Sequence, residues 1–219
     1  MSAAIQYRSQ QLPEMEPSSE LLRLIDIFEP DTQVVVVSRD PDPAIDAYLA
    51  AIAHRMGSGF RHALKTGSPV PHHLLPAHTG QEAFVADLNQ LVGIFADLLG
   101  CPSIGLRLEV VSRAMCPRFH VDHVGIRLLC TYRGPATEWL VDACADRSKL
   151  GPTSSDVCDE NSGIIMNPAG IHRATPYAIV LLKGSRWQGN EGSSSIIHRS
   201  PTVPSNTAPR VLLALDALW

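Results

Sequence analysis

Lysine is nearly missing from this 219-residue chain, occurring only at Lys65, Lys149 and Lys183. The remaining basic residues are arginine, which reads as compositional bias and assigns no function. There is no basic excess either. The formal net charge is −4, so the chain lacks the electrostatic footprint of a nucleic-acid or anionic-membrane binder. No apolar run approaches the length of about 20 residues that a bilayer crossing needs. The five cysteines form no C-x-x-C pair, which excludes a zinc ribbon. Their odd count, with no basic-then-apolar leader in "MSAAIQYRSQQLPEMEP", predicts reduced thiols and a cytoplasmic location. No G-x-S-x-G elbow is present. "GSSS" (Gly192–Ser195) opens no helix, so it is not a phosphate loop. What is present is 45% hydrophobic residues, enough to build a substantial core.

The apolar pattern changes character along the chain. Residues 1–17 read as a flexible polar tail. "SSELLRLIDIF" (Ser18–Phe28) predicts a short amphipathic helix, and "QVVVVSRD" (Gln33–Asp40) a buried strand. "DPAIDAYLAAIAHRM" (Asp42–Met56) has helical spacing with proline in its first turn. The stretch to about His78 reads as a loop holding His62, His72, His73 and His78. "TGQEAFVADLNQLVGIFADLLG" (Thr79–Gly100) is the clearest helix, with Thr79 and Glu82 as a capping box and Gly100 as its stop. From residue 103 the period becomes two. "SIGLRLEVV" sets Ile104, Leu106, Leu108 and Val110 against Gly105, Arg107 and Glu109, as in a half-buried antiparallel strand. Further strands are expected at Arg118–Tyr132, Thr137–Val141, Tyr177–Lys183, Ser194–His198 and Arg210–Leu215. Residues 146–176 read as a long loop or lid. Helices followed by strands predict an α+β chain, with a jelly-roll barrel at 103–219 backed by the helices and one strand of 18–100. Residues 18–219 are expected to form a single domain.

The chemistry gathers in "CPRFHVDHVGIRLLCTYRG" (Cys116–Gly134). In a strand, residues i and i+2 share a face. His120 and Asp122 therefore point together, and His123 points away. Buried charge is costly unless it is paired or bound to a metal. An imidazole and a carboxylate on one face can grip a divalent cation from one side. "SSSIIHRSP" supplies a third candidate, His198. Two histidines and one carboxylate form the facial triad of non-haem Fe(II) oxygenases. Arg210, opening "RVLLALDAL", is placed to fork onto a carboxylate. Arg127, Lys183 and Arg199 are rivals for that role. Trp139 and Trp187, the latter beside "QGNEG" (Gln188–Gly192), are candidate pocket walls. Asp142, Asp146 and Asp159 read as turn and solubility residues.

The order H-x-D, distant His, then Arg resembles the 2-oxoglutarate/Fe(II) dioxygenase superfamily. "AIVLLKG" (Ala178–Gly184) resembles the strand and turn before the distal histidine in that group. This resemblance implies a double-stranded β-helix, Fe(II) at His120, Asp122 and His198, and 2-oxoglutarate anchored by Arg210. A closer likeness runs through "MCPRFHVD", "CTYRGPATEWL", "LLKGSRWQGNEG", "HRSP" and "RVLLALD", and more weakly through "IFEPDTQVVVV" and "AFVADLNQLV". On those strings the chain is identified as a member of the bacterial domain of unknown function 1826 family. That resemblance implies metal at the same three residues and an association of some members with zinc-homeostasis genes. It does not fix histidine at position 123.

Two readings follow. The first is an Fe(II)/2-oxoglutarate oxygenase hydroxylating a small molecule or a protein side chain near residues 146–176. The second is a non-catalytic barrel holding zinc, with a fourth ligand such as Cys116. A barrel serving only as an interaction module stands behind both. Neither nucleic acid nor membrane is an expected partner.

Overall fold

A computed structural model describes residues 19–112, 116–151, 158–188, 195–203 and 208–219. The tail expected over 1–17, Ser18, most of "QGNEG" and Gly192–Ser194 lie outside the described residues.

Among the described residues, nine strands form two antiparallel sheets. They are β1 (Val34–Val37), β2 (Gly59–Lys65), β3 (Ser103–Val111), β4 (Ile126–Arg133), β5 (Glu138–Leu140), β6 (Ile171–Arg173), β7 (Ile179–Lys183), β8 (Ile197–Arg199) and β9 (Arg210–Leu218). The large sheet has the order β1-β7-β4-β9-β3-β2, and the small one β6-β5-β8. An antiparallel bridge between His120 and His198 adds the 118–120 segment beside β8. In chain order, β3, 118–120, β4, β5, β6, β7, β8 and β9 visit the large, small, large, small, small, large, small and large sheets. That path is a jelly roll, the double-stranded β-helix, whose closure removes most exposed strand edges.

The N-terminal helices cover one face of the large sheet. α1 (Ser19–Leu22) continues into a 3₁₀ turn, Arg23–Phe28, and α4 (Asp159–Ser162) is a single turn. α2 (Pro43–Ile52) starts where Asp42 accepts from the backbone N–H groups of Ala44 and Ile45, with Pro43 fixing the first turn. α3 (Gln81–Leu99) turns Phe84, Val85, Leu88, Leu91 and Phe95 onto the sheet. The expected Thr79–Glu82 capping box does not form. Gly80 takes the N-cap position with φ 92°, and no side chain caps the helix. A Cβ there would lie 2.6 Å from the Ala44 carbonyl oxygen, so the close approach of α2 and α3 selects glycine over a capping residue.

Both faces of the large sheet are buried. Leu106, Leu108, Leu128, Leu181, Leu213 and Leu215 meet the helices. Leu129, Val180, Leu182, Leu212 and Ala214 point into the roll. β9 pairs with β3 on one side and β4 on the other, which explains its unbroken apolar run.

Several boundaries differ from those expected. Gly59–Lys65, read as loop, is an edge strand paired with β3, so residues 18–100 contribute two strands. Its polar Arg61, His62 and Lys65 hide the strand signal. β6 lies within the expected 146–176 loop and is only three residues long. Arg118–Tyr132 is not one strand. Its first residues belong to the small sheet, the chain crosses over at 121–125, and β4 begins at Ile126. Ile126 and Leu128 consequently face the helices, not the side of His120 and Asp122. No helix among the described residues is long and apolar enough to cross a membrane.

Leu213 is fully buried in the middle of β9. Truncation there removes packing that the surrounding sheet cannot refill. Leu213→Ala is expected to cost about 2–5 kcal/mol, read as a lower urea midpoint with an unchanged slope.

Candidate metal centre

The bridge between 118–120 and β8 determines the site. His120 N–H donates to the His198 carbonyl at 3.0 Å, and His198 N–H donates back to the His120 carbonyl at 2.9 Å. Directly paired residues project from the same face of a sheet, so both imidazoles enter the roll. Their centroids are 4.6 Å apart. The chain then bends, and Asp122 swings its carboxylate between the rings. Asp122 Oδ1 is 3.6 Å from His120 Nε2, and Oδ2 is 3.2 Å from His198 Nε2. One donor atom from each of the three residues lies within 4.8 Å of the others.

The rings are held in the tautomer a cation requires. His120 Nδ1 is 2.8 Å from the Arg118 carbonyl, and His198 Nδ1 is 3.4 Å from the Ile196 carbonyl. A carbonyl only accepts, so Nδ1 carries the hydrogen and Nε2 is the atom turned to Asp122: protonated it donates to the carboxylate, and deprotonated it would offer its lone pair to a cation. Burial opposes ionisation of Asp122. Hydrogen bonds from His120 and His198, with the positive charge of Arg127, outweigh it and hold the carboxyl well below its ordinary range. This donor set fits a divalent metal ion with open coordination positions.

The carboxylate has its own support. Arg127 NH1 donates to Asp122 Oδ2 at 2.5 Å, while its Nε and NH2 fork onto Asp216 at 2.6 and 3.0 Å. The 121–125 crossover is fastened from outside by the turn after β7. Gly184, Ser185 and Arg186 donate their backbone N–H groups to the carbonyls of Gly125, Asp122 and Val124 at 2.8, 2.8 and 2.9 Å. A Cβ on Gly184 would lie 2.3 Å from the Val124 oxygen and 2.7 Å from that of Asp122. "LLKG" therefore acts through backbone contact with the loop that carries Asp122.

Behind the histidines, Asp159 is buried between their two strands. Its Oδ2 accepts from Phe119 N–H at 2.7 Å and from Arg199 NH1 at 3.1 Å. Arg199 lies over the Phe119 ring and also donates to Glu138, which accepts from Arg173 as well. Asp159 thus ties together the neighbours of both histidines; it is not a solvated turn residue. Leu150, Ile164, Ile165 and Ile171 of the 146–176 segment pack on this outer face against Phe119, Leu140 and Ile197, whereas Ala174 joins the inner cluster. No described residue of that segment lines the metal cleft.

That cleft encloses about 470 Å³ including its open mouth, and Arg107, Glu109, Cys116, Arg127, Thr137 and Ser200 line it beside the three candidates. Arg107 and Glu109 face into the roll, not towards solvent. Arg210 is fully buried and meets the cleft only through the lining residues Thr137 and Ser200. Its guanidinium donates to the Pro135 carbonyl at 2.8 Å and to the Thr131 and Thr137 hydroxyls at 3.2 Å, with Ser200 at 3.5 Å. Among the described residues no carboxylate pairs with it. Burial, only partly opposed by the charge of Glu109, pushes its pKa down to about 10.

Other candidates lie elsewhere. Lys183 points to the helix side, donates to the Glu29 carbonyl at 2.5 Å and sits 5.4 Å from the Trp187 ring. Trp187 packs against Phe28 and lines a separate surface cleft with His123. Neither lines the metal cleft: β7 turns Lys183 outward with its other odd-numbered residues, and Trp187 lies beyond the strand in the turn that follows. Trp139 shares the inner face with His198 through direct pairing but stacks on His172. His123 turns out to Ser185. Cys116 lines the cleft without joining the cluster of donor atoms.

The strand path and this side-chain set define a jelly-roll protein with two histidines and a carboxylate converging inside the barrel. The family model described as Protein of unknown function (DUF1826) matches residues 18–216, and the chain belongs to that family. No curated protein matches it. Similar solved structures include dioxygenase for auxin oxidation 1 from Arabidopsis thaliana, solved with 2-oxoglutarate (14% identity, 93% of this chain and 90% of that one, TM-score 0.49). The rice dioxygenase for auxin oxidation aligns at 17% identity over 90% and 77% of the two chains, TM-score 0.48. A Pseudomonas putida prolyl-4-hydroxylase aligns at 11% identity over 91% and 99%, TM-score 0.45.

Two outcomes follow from these supports. Gly184→Ala is expected to displace the 121–125 crossover and weaken divalent-metal binding about 10–100-fold, measured by Co(II) titration. Glu138 supplies a pH test. Burial raises its pKa, but the hydrogen bonds and charges of Arg173 and Arg199 prevail and hold it below its ordinary 4.5. Its contribution is present above that value and is lost as pH falls through the lower folded-state value. Glu138→Gln is therefore expected to lower the melting temperature at about pH 7, with the difference closing as the pH falls below the ordinary carboxylate range.

Proposed function

We propose that this protein is an Fe(II)- and 2-oxoglutarate-dependent oxygenase that hydroxylates a small molecule or a protein side chain. The observation that carries the reading is the His120–Asp122–His198 donor set in a cleft lined also by Thr137 and Ser200, the hydroxyls that meet a buried Arg210 with no carboxylate partner among the described residues. An uncompensated guanidinium is unfavourable in a protein interior, and the distal carboxylate of a 2-oxo diacid relieves it. His120 and His198 hold the ion through Nε2, and Asp122 holds it through a carboxylate oxygen. Bound Fe(II) with 2-oxoglutarate supplies oxidation by O₂, coupled to loss of CO₂ and formation of succinate. The chain's own part is to orient. Thr131, Thr137 and the Pro135 carbonyl aim Arg210, while the tied Nδ1 atoms keep both rings in register. A closed zinc site takes four protein ligands, and no fourth donor joins the three among the described residues.

Anaerobic calorimetry of the Fe(II)-loaded protein with 2-oxoglutarate tests the reading, and absence of binding overturns it. His198→Ala is expected to abolish stoichiometric Fe(II) uptake. Arg210→Met is expected to keep the metal but weaken 2-oxoglutarate about 10–150-fold, the equivalent of one charge-assisted hydrogen bond.

A further inference from the structure

Asp122 has two oxygens, and a carboxylate beside a divalent ion can offer one or both. The choice matters in this cleft. On a six-coordinate ion, two imidazoles and one oxygen leave three positions, whereas a carboxylate binding through both oxygens leaves two. A 2-oxo acid chelating through its keto and carboxylate oxygens occupies two positions, and only the first arrangement then keeps a place for O₂.

The surroundings of Asp122 favour the first arrangement. Arg127 lies directly across from Asp216 in the β4–β9 register. Its Nε and NH2 are taken by the two oxygens of Asp216, which fixes the guanidinium plane and aims NH1 at Asp122 Oδ2, 2.5 Å away. Asp216 is itself backed by Arg107, with Nε 3.7 Å from its Oδ2. Arg127 and Asp122 are each about 15% exposed at the side chain, so water competes weakly for this hydrogen bond. Among the described residues no arginine donates to Oδ1; its near neighbour is His120 Nε2 at 3.6 Å.

We propose that Arg127, clamped by Asp216, is a positioning residue that engages one oxygen of Asp122 and so restricts this ligand to single-oxygen coordination. This rests on the metal reading above. It adds that the number of open positions is set by an arginine outside the ligand set.

Water-proton relaxation of the full chain loaded with Mn(II) alone counts open positions without any co-substrate. The wild type is expected to show three exchangeable waters. Arg127→Met, similar in length but without charge or donors, frees Oδ2 and is expected to show two, a fall of about one third in relaxivity per bound Mn(II). Arg127→Lys restores a donor and is expected to return the count towards three. With Fe(II), Arg127→Met is expected to keep binding 2-oxoglutarate, which needs two positions, but to lose the place for O₂, read as O₂-dependent consumption of 2-oxoglutarate about 10–100-fold slower than in the wild type. Should the Met variant not fold, Asp216→Asn decides: it leaves the arginine but loosens its clamp, and a relaxivity below wild type is expected. A full wild-type count in the Met variant, or in Asp216→Asn where the Met variant is lost, overturns the proposal. A change in water count together with no 2-oxoglutarate binding by the wild type supports this inference and sinks the co-substrate reading. A wild type that takes up no Mn(II) overturns both.

Discussion

Two backbone hydrogen bonds between His120 and His198 govern this molecule's chemistry. They join the 118–120 segment to the small sheet, complete the roll and bring two imidazoles from distant parts of the chain to one inner face. Little else along 118–125 is regular. A bridge of one residue pair is weak by itself, and the structure surrounds it with supports. Asp159 ties the neighbouring residues from outside, the two Nδ1 atoms anchor to local carbonyls, and the turn after β7 holds the crossover. The donor set is thus positioned by the layers around it more than by the strand that bears it.

The fold was legible where burial leaves a periodic trace. The α3 stripe and the alternation in β3 locate those elements to within a residue or two, and the apolar run from Arg210 locates β9. β2 and β6 were not legible, since polar edge strands and three-residue strands bury too little to leave a pattern. The parity argument paired His120 with Asp122 by assuming a continuous strand. The structure brings them together through a bend between sheets, so the same juxtaposition has a different cause. Parity separates the faces of a strand but does not say which face is enclosed. Arg107 and Glu109 looked like solvent-side residues and in fact face the interior, because the second sheet that covers them is visible only in three dimensions.

Charged residues were the hardest to read. Arg127, Arg199 and Lys183 looked equivalent as carboxylate anchors. Arg127 is committed to Asp122 and Asp216, Arg199 to Glu138 and Asp159, and Lys183 to a carbonyl on the far side of β7. What distinguishes Arg210 is the absence of a carboxylate among its described neighbours, a property of the folded surroundings that no local string encodes. Asp159 and Asp216 carried no signal either, as their partners lie far away in sequence.

The position of β9 bears on how the molecule is made. The strand at the middle of the large sheet is synthesised after every other strand of that sheet, and it separates β3 from β4. Until it leaves the ribosome, those two strands present bare edges, and the roll cannot close. Helices α2 and α3 have by then only part of a surface to cover. Closure thus waits on a non-local pairing, the kind that forms slowly and leaves edges open to misassociation until it is made.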